Sequence, residues 1–150
     1  MGTRYPGNKK EVTVLNTYIK LIRGSESVKN RINEPLAAKG LTESQFYTID
    51  ALYNLGPLNQ KEVGEKLFRT GGNITLVIDN LEKQGLVKRE RGIKDRRSFI
   101  IHLTAKGRNL YKRIFPRQLR LIAEEMNLLT EEEQIQMQKF CKILGLKRRG

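Results

Sequence analysis

The stretch TGGNITLVIDNLEKQGLVKRERGIKDRRSFIIHLT, residues 70–104, decides how the rest of the chain is read. Ile74, Val77, Ile78 and Leu81 recur at helical intervals and make one apolar face. The remaining face carries Gly71, Gly72, Asn73, Thr75, Asp79, Asn80 and Lys83, all small or hydrogen-bonding. Gly85 followed by Leu86 predicts a Schellman stop, with glycine in left-handed backbone and Leu86 reaching back to Leu81. Beyond it, Lys88, Arg89, Arg91, Lys94, Arg96 and Arg97 face only Glu90 and Asp95 as opposing charge. Phe99, Ile101 and Leu103 alternate with Ile100 and His102 as a half-buried strand, and residues 91–95 supply the turn, with Gly92 giving it freedom. A short helix with a polar face beside a basic hairpin is a means of reading DNA.

Upstream, Thr42-Glu43-Ser44-Gln45 reads as a capping box, stapled by Leu41 and Phe46, opening a helix that ends at Gly56-Pro57. Asn59 caps a short third helix, with Glu62 at its third position and Leu58 stapled onto Val63. Thr70 is expected to cap the next helix, so that two to four loop residues join the pair as a helix-turn-helix. Residues 1–8 read as a loose arm broken by Pro6 and Gly7. From Lys9 a helical stripe runs through Val14, Leu15, Tyr18, Ile19 and Ile22, then resumes after Gly24 and Ser25 with Val28, Ile32 and Leu36. Pro35 should kink or tighten its last turns, and Gly40-Leu41 repeats the Schellman pattern with Leu36. Downstream, Thr104 caps a long helix that Pro116 should bend or divide. Thr130 to Glu133 form another capping box, opening a final helix that runs until Gly145. The fold class is therefore mainly α (α+β), four helices, a hairpin and two more helices. The apolar stripes of the first and last helices exceed what a small winged core can cover, which points to a homodimer; the alternative is a monomer whose ends fold back as a bundle.

Lys and Arg number 29 against 16 Asp and Glu, a net charge of +13, which favours a polyanionic partner over a merely solvated surface. The basic residues crowd residues 83–120, while Glu124, Glu125 and Glu131 to Glu133 lie apart, giving the molecule a positive side. No apolar run suits a bilayer and MGTRYPGNKK carries no hydrophobic signal segment, so no membrane partner and a cytoplasmic setting are expected. One cysteine and one histidine offer neither an internal disulfide nor a Cys/His zinc cluster, and no metal or cofactor is expected. An enzyme is not expected either: no nucleophile stands with a base, and Gly71-Gly72 lacks the strand and third glycine of a dinucleotide loop. A nonspecific architectural or RNA-binding module remains as an alternative, needing the basic hairpin but not the ordered polar helix.

The segment LTESQFYTIDALYNLGPLNQKEVGEKLFRTGGNITLVIDNLEKQGLVKRERGIKDRRSFIIHLTAKG, residues 41–107, resembles the MarR family of bacterial winged-helix regulators. LEKQGLVKR, KDRR and LTAKG at this spacing carry the resemblance together. It implies an N-terminal arm and dimerisation helix over 1–40, a winged helix-turn-helix DNA-binding domain over 41–104 and C-terminal dimerisation helices over 105–150. It also implies a homodimeric repressor or activator on a near-palindromic double-stranded operator, often answering to a small phenolic or oxidant effector. Thr70 to Lys83 correspond to the recognition helix: Gly71 and Gly72 would bare amides for a phosphate, and Asn73 and Thr75 would read base edges, unless Asn73 spends itself on a local capping bond. Lys83 would touch phosphate or solvent. Arg97 corresponds to the arginine that enters the minor groove and Asp95 to the carboxylate that orients it, with Arg96 on phosphate; the two arginines could exchange roles, and the Asp95-Arg97 pair could merely stabilise the hairpin. Tyr18, Ile22 and Tyr47 are candidates by position for an effector pocket, although each also suits plain core. Cys141 is expected to be buried and inert, and His102 structural or exposed.

Overall fold

Asn8 opens the first helix of the computed structural model, which describes residues 2–67 and 73–149. Its side chain accepts from the Glu11 amide, and α1 then runs unbroken over Lys9–Ala37. The expected interruption at Gly24-Ser25 does not occur. The Ser25 hydroxyl donates to the Ile22 carbonyl at 3.0 Å, and one interior glycine costs only about 1 kcal/mol against a long helix. Nor is the arm before it loose, since the Thr3 amide donates to Asn16 Oδ1 at 2.7 Å. Gly40, with φ of 71°, reverses the chain, and the Leu41 amide returns to the Leu36 carbonyl at 3.1 Å as the Schellman pattern requires.

Thr42 and Gln45 exchange the two bonds of a capping box at the start of α2 (Glu43–Leu55). Leu58 and Asn59 form a two-residue strand, β1, before Asn59 caps α3 (Gln60–Lys66). The sequence reading missed β1, because two residues show no periodicity. It pairs antiparallel with β3 (Phe99–Leu103), which pairs with β2 (Val87–Arg91) to give the sheet order β1-β3-β2. Between them α4 spans Ile74–Lys83 with Asn73 as its N-cap. This corrects the expected start: Asn73 caps α4, and Thr70 lies outside the described residues. At the other end Gly85 has φ of 72° and the Leu86 amide donates to the Leu81 carbonyl at 2.9 Å, the second Schellman stop.

The core sits where α2, α4 and the sheet meet, around Ile49, Leu52, Val63, Ile78, Leu81 and Ile101, all at most 2% exposed. Each such side chain contributes roughly 1.5–3 kcal/mol by leaving water. The first half of α5 (Ala105–Met126) joins it through Tyr111 and Ile114. Tyr111 stacks on Tyr53 at 4.2 Å and Phe115 at 5.1 Å, and its hydroxyl donates to Asp50 Oδ1 at 2.6 Å. Pro116 does not divide α5. The last helix, α6 (Glu131–Leu146), passes through Gly145 and stops with Lys147, not a glycine, in left-handed backbone.

Two expectations follow from this packing. A Cβ on Gly107 would overlap the Leu86 carbonyl oxygen and lie 2.7 Å from Leu103 Cδ1. Gly107→Ala should therefore lower stability by about 1–3 kcal/mol in urea unfolding, whereas Gly64→Ala, with open space around it, should not. Burial, aided by the bond to Asp50, pushes the Tyr111 phenol up to about 12 from its ordinary 10.0. Its contribution to stability is then complete below pH 10 and lost as pH rises toward 12. In a spectrophotometric titration of the five tyrosines, one late phenolate step should vanish in Tyr111→Phe; simultaneous ionisation of all five in the folded protein would contradict this.

Candidate nucleic-acid interface

Asn73 and Thr75 organise the exposed beginning of α4. Asn73 Oδ1 accepts from the Thr75 amide at 3.0 Å, satisfying an amide that the helix cannot. Thr75 Oγ1 accepts from Gln60 Nε2 at 2.8 Å, so the first turn of α3 is tied to the first turn of α4. The Asn73 oxygen is thus engaged by its own helix, and a bidentate bond to adenine, which needs both amide atoms, would displace it. The Thr75 hydroxyl keeps its own proton to give. Thr70, Gly71 and Gly72 lie outside the described residues.

Beyond α4 the hairpin closes through a turn held by its own backbone. The Gly92 amide donates to the Ser98 carbonyl at 3.0 Å, and the Ser98 amide to the Asp95 carbonyl at 3.1 Å. Asp95 Oδ1 accepts from the Arg97 backbone amide at 2.9 Å. The carboxylate therefore braces the turn that carries Arg97 and meets its main chain, not its guanidinium. Arg96 and Arg97 are both exposed, and Ile93 at the tip is completely so. His102 is half-buried, with Nε2 2.8 Å from Glu90 Oε2.

Arg89 departs from the reading of the hairpin as a row of outward cations. Its guanidinium joins the Asp79 carboxylate and lies 3.1 Å from Glu82 Oε1, while its backbone amide donates to Glu82 Oε2 at 3.0 Å. One side chain from β2 thereby clamps two carboxylates one turn apart on α4. The signal was present, since Asp79 and Glu82 are three residues apart, but only the fold brings β2 across them.

An open cleft of about 1020 Å³ results between α3, α4 and the wing. Gln60, Lys61, Thr75, Arg89, Asp95 and Arg97 line it, so base-reading and minor-groove candidates face one space. Lys83 does not join them; it lies in the last turn of α4, eight residues or roughly 12 Å along the axis from Thr75. Of the effector candidates, Tyr18 and Ile22 stand exposed on α1, while Tyr47 is half-buried against Phe46, ring centres 6.0 Å apart. Cys141 is exposed on α6, contrary to the expected buried thiol, because no other element covers that helix in the single chain. Among the described residues no helix is long and apolar enough to cross a membrane.

Comparison with known proteins agrees with this geometry. The sequence signature of the MarR family matches residues 41–99. An uncharacterised HTH-type transcriptional regulator of Bacillus subtilis, YkoM, is 33% identical over 140 residues, covering 93% of this chain and 91% of its own. MepR of S. aureus, solved in a DNA complex, superposes with a TM-score of 0.74 at 28% identity, covering 85% of this chain and 96% of its own. Sco3205 of Streptomyces coelicolor, a MarR family regulator also solved with DNA, has a TM-score of 0.83 at 19% identity over 95% of this chain and 91% of its own, a likeness of fold. With a winged helix-turn-helix in place and a relative of this identity along nearly its whole length, the chain belongs to the MarR family of DNA-binding transcriptional regulators.

Proposed function

We propose that the protein is a homodimeric repressor that binds a near-palindromic operator in the cytoplasm, with two α4 helices in successive major grooves and two wings in the flanking minor grooves. The observation that carries this reading is the single cleft shared by Thr75 on α4 and Asp95 and Arg97 on the wing. In it Thr75 reads a base edge, with Asn73 holding the helix start and lending its amide nitrogen; Thr70, Gly71 and Gly72, which precede it in sequence, are assigned to phosphate contact. Arg97 enters the minor groove from a turn braced by Asp95, and Arg96 and Lys83 neutralise phosphates. The uncovered faces support the dimer. None of α6 is buried, and Val14 and Tyr18 of α1, Leu119 of α5 and Phe140 of α6 are each more than half exposed. A helix of 16 residues with that much apolar surface in water gains its stability from packing, and a second copy supplies it. A small phenolic effector would sit between arm and winged core near Tyr18, Ile22 and Tyr47 and change the spacing of the two wings.

Two measurements check this. In competition binding at physiological salt, an inverted repeat with half-sites about one turn, or 10 bp, apart should outcompete random duplex by at least ~10³. Equal affinity would favour a nonspecific architectural protein instead. Arg97→Ala should weaken operator binding by about 1–3 kcal/mol, Thr75→Val should relax base discrimination, and Asn73→Ala should cost about 1 kcal/mol of stability through its lost cap. In sedimentation equilibrium the wild type should be a dimer and the double variant Tyr18→Asp, Phe140→Asp a folded monomer; a monomeric wild type at micromolar concentration would refute the paired arrangement.

A further inference from the structure

A second cleft, of about 220 Å³, lies where the end of α1 meets the middle of α5. It shares no residue with the cleft facing DNA or with Tyr18, Ile22 and Tyr47. Buried Leu36 and Ile114 give it an apolar wall, and Lys39, Arg113, Arg117 and Arg120 stand exposed around it. The three arginines fall at i, i+4 and i+7, so like charges are neighbours along one face of α5, an arrangement unfavourable without an anion. No carboxylate lines the cleft, and none of the four cations has an ion pair among the described residues. An independent feature marks the same place. Gln118, only 2% exposed, lines the cleft, and its Oε1 has no hydrogen-bond partner among the described residues. A buried amide oxygen left unmatched is costly, and such groups are rare unless a ligand or water meets them.

We propose that this cleft binds a small phosphate monoester. Four cations with no opposing carboxylate suit a dianion better than a monocarboxylate, and guanidinium forks match phosphate oxygens. The dianion has no proton to give, so the Gln118 amide turns and donates to a phosphate oxygen through Nε2. The volume exceeds the 150 Å³ or so that holds benzene, leaving room for a short carbon body against Leu36 and Ile114. A DNA phosphodiester is a poorer occupant, because it carries one negative charge against four cations and is tethered to its chain on both sides. The proposal does not depend on how α4 and the wing meet DNA.

Isothermal titration at constant ionic strength, with inorganic phosphate, glycerol phosphate and benzoate as probes, tests it without DNA. Saturable binding of glycerol phosphate, one per chain, should weaken at least tenfold in Arg117→Gln, an exposed position, and persist in the wing variant Arg96→Ala. Gln118→Leu should also weaken it tenfold while raising the melting temperature of the unliganded protein, since an unmatched acceptor is removed. Absence of saturable binding, equal binding by Arg117→Gln, or loss in Arg96→Ala would overturn the proposal; benzoate binding tighter than either phosphate would replace its ligand class with a carboxylate.

Discussion

The clamp formed by Arg89 fixes the one distance on which this molecule's use of its surface depends. Helix α4 and the wing are consecutive in sequence but present separate surfaces to the cleft between them. A side chain 18% exposed, held by Asp79 and Glu82 on successive turns of α4, keeps β2 against that helix. Arginine suits the place because its fork serves two acceptors from one rigid plane, which a lysine ammonium does not. Glu82 completes the clamp by also accepting the Arg89 backbone amide. A cation is thereby removed from the exposed charge of the wing, and geometry is gained in return.

The Gln60–Thr75 bond plays the corresponding role on the other side of α4. Together the two contacts seat α4 between α3 and the hairpin by polar bonds at its exposed edge, while Val77, Ile78 and Leu81 hold it from below. Its polar face is consequently partly occupied by the protein's own architecture. Asn73 caps, Thr75 accepts from Gln60, and Asp79 binds Arg89.

The long helices obey a different constraint. Apolar side chains on α1, α5 and α6 remain outside the core because the winged domain has no surface left to cover them. The bidentate Arg31–Glu125 contact, 2.5 and 2.6 Å, joins α1 to α5. It holds the Glu125 carboxyl below its usual range. An exposed pair of this kind orients helices more than it stabilises them.

Helix ends were legible from residues alone because their signals are local. The capping boxes at Thr42, Asn59 and Thr130 and the Schellman glycines at 40 and 85 act within one turn, and each stands where neighbouring side chains and backbone require. The apolar stripe of α4, the hairpin and the charge of +13 are likewise properties of short segments or of composition. What escaped depends on partners distant in the chain. Strand β1 exists only because Ile100 and Ile101 present an edge to Leu58 and Asn59. Thr70 and Asn73 are both plausible caps by type, and α4 is capped by Asn73. Arg89 looks like any other wing cation until β2 crosses Asp79, and Gln118 looks like a solvent-facing polar residue until α1 and α5 enclose it. Local backbone chemistry settles where helices begin and end; which polar groups are consumed internally and which remain for a ligand is settled when elements far apart in sequence are pressed together.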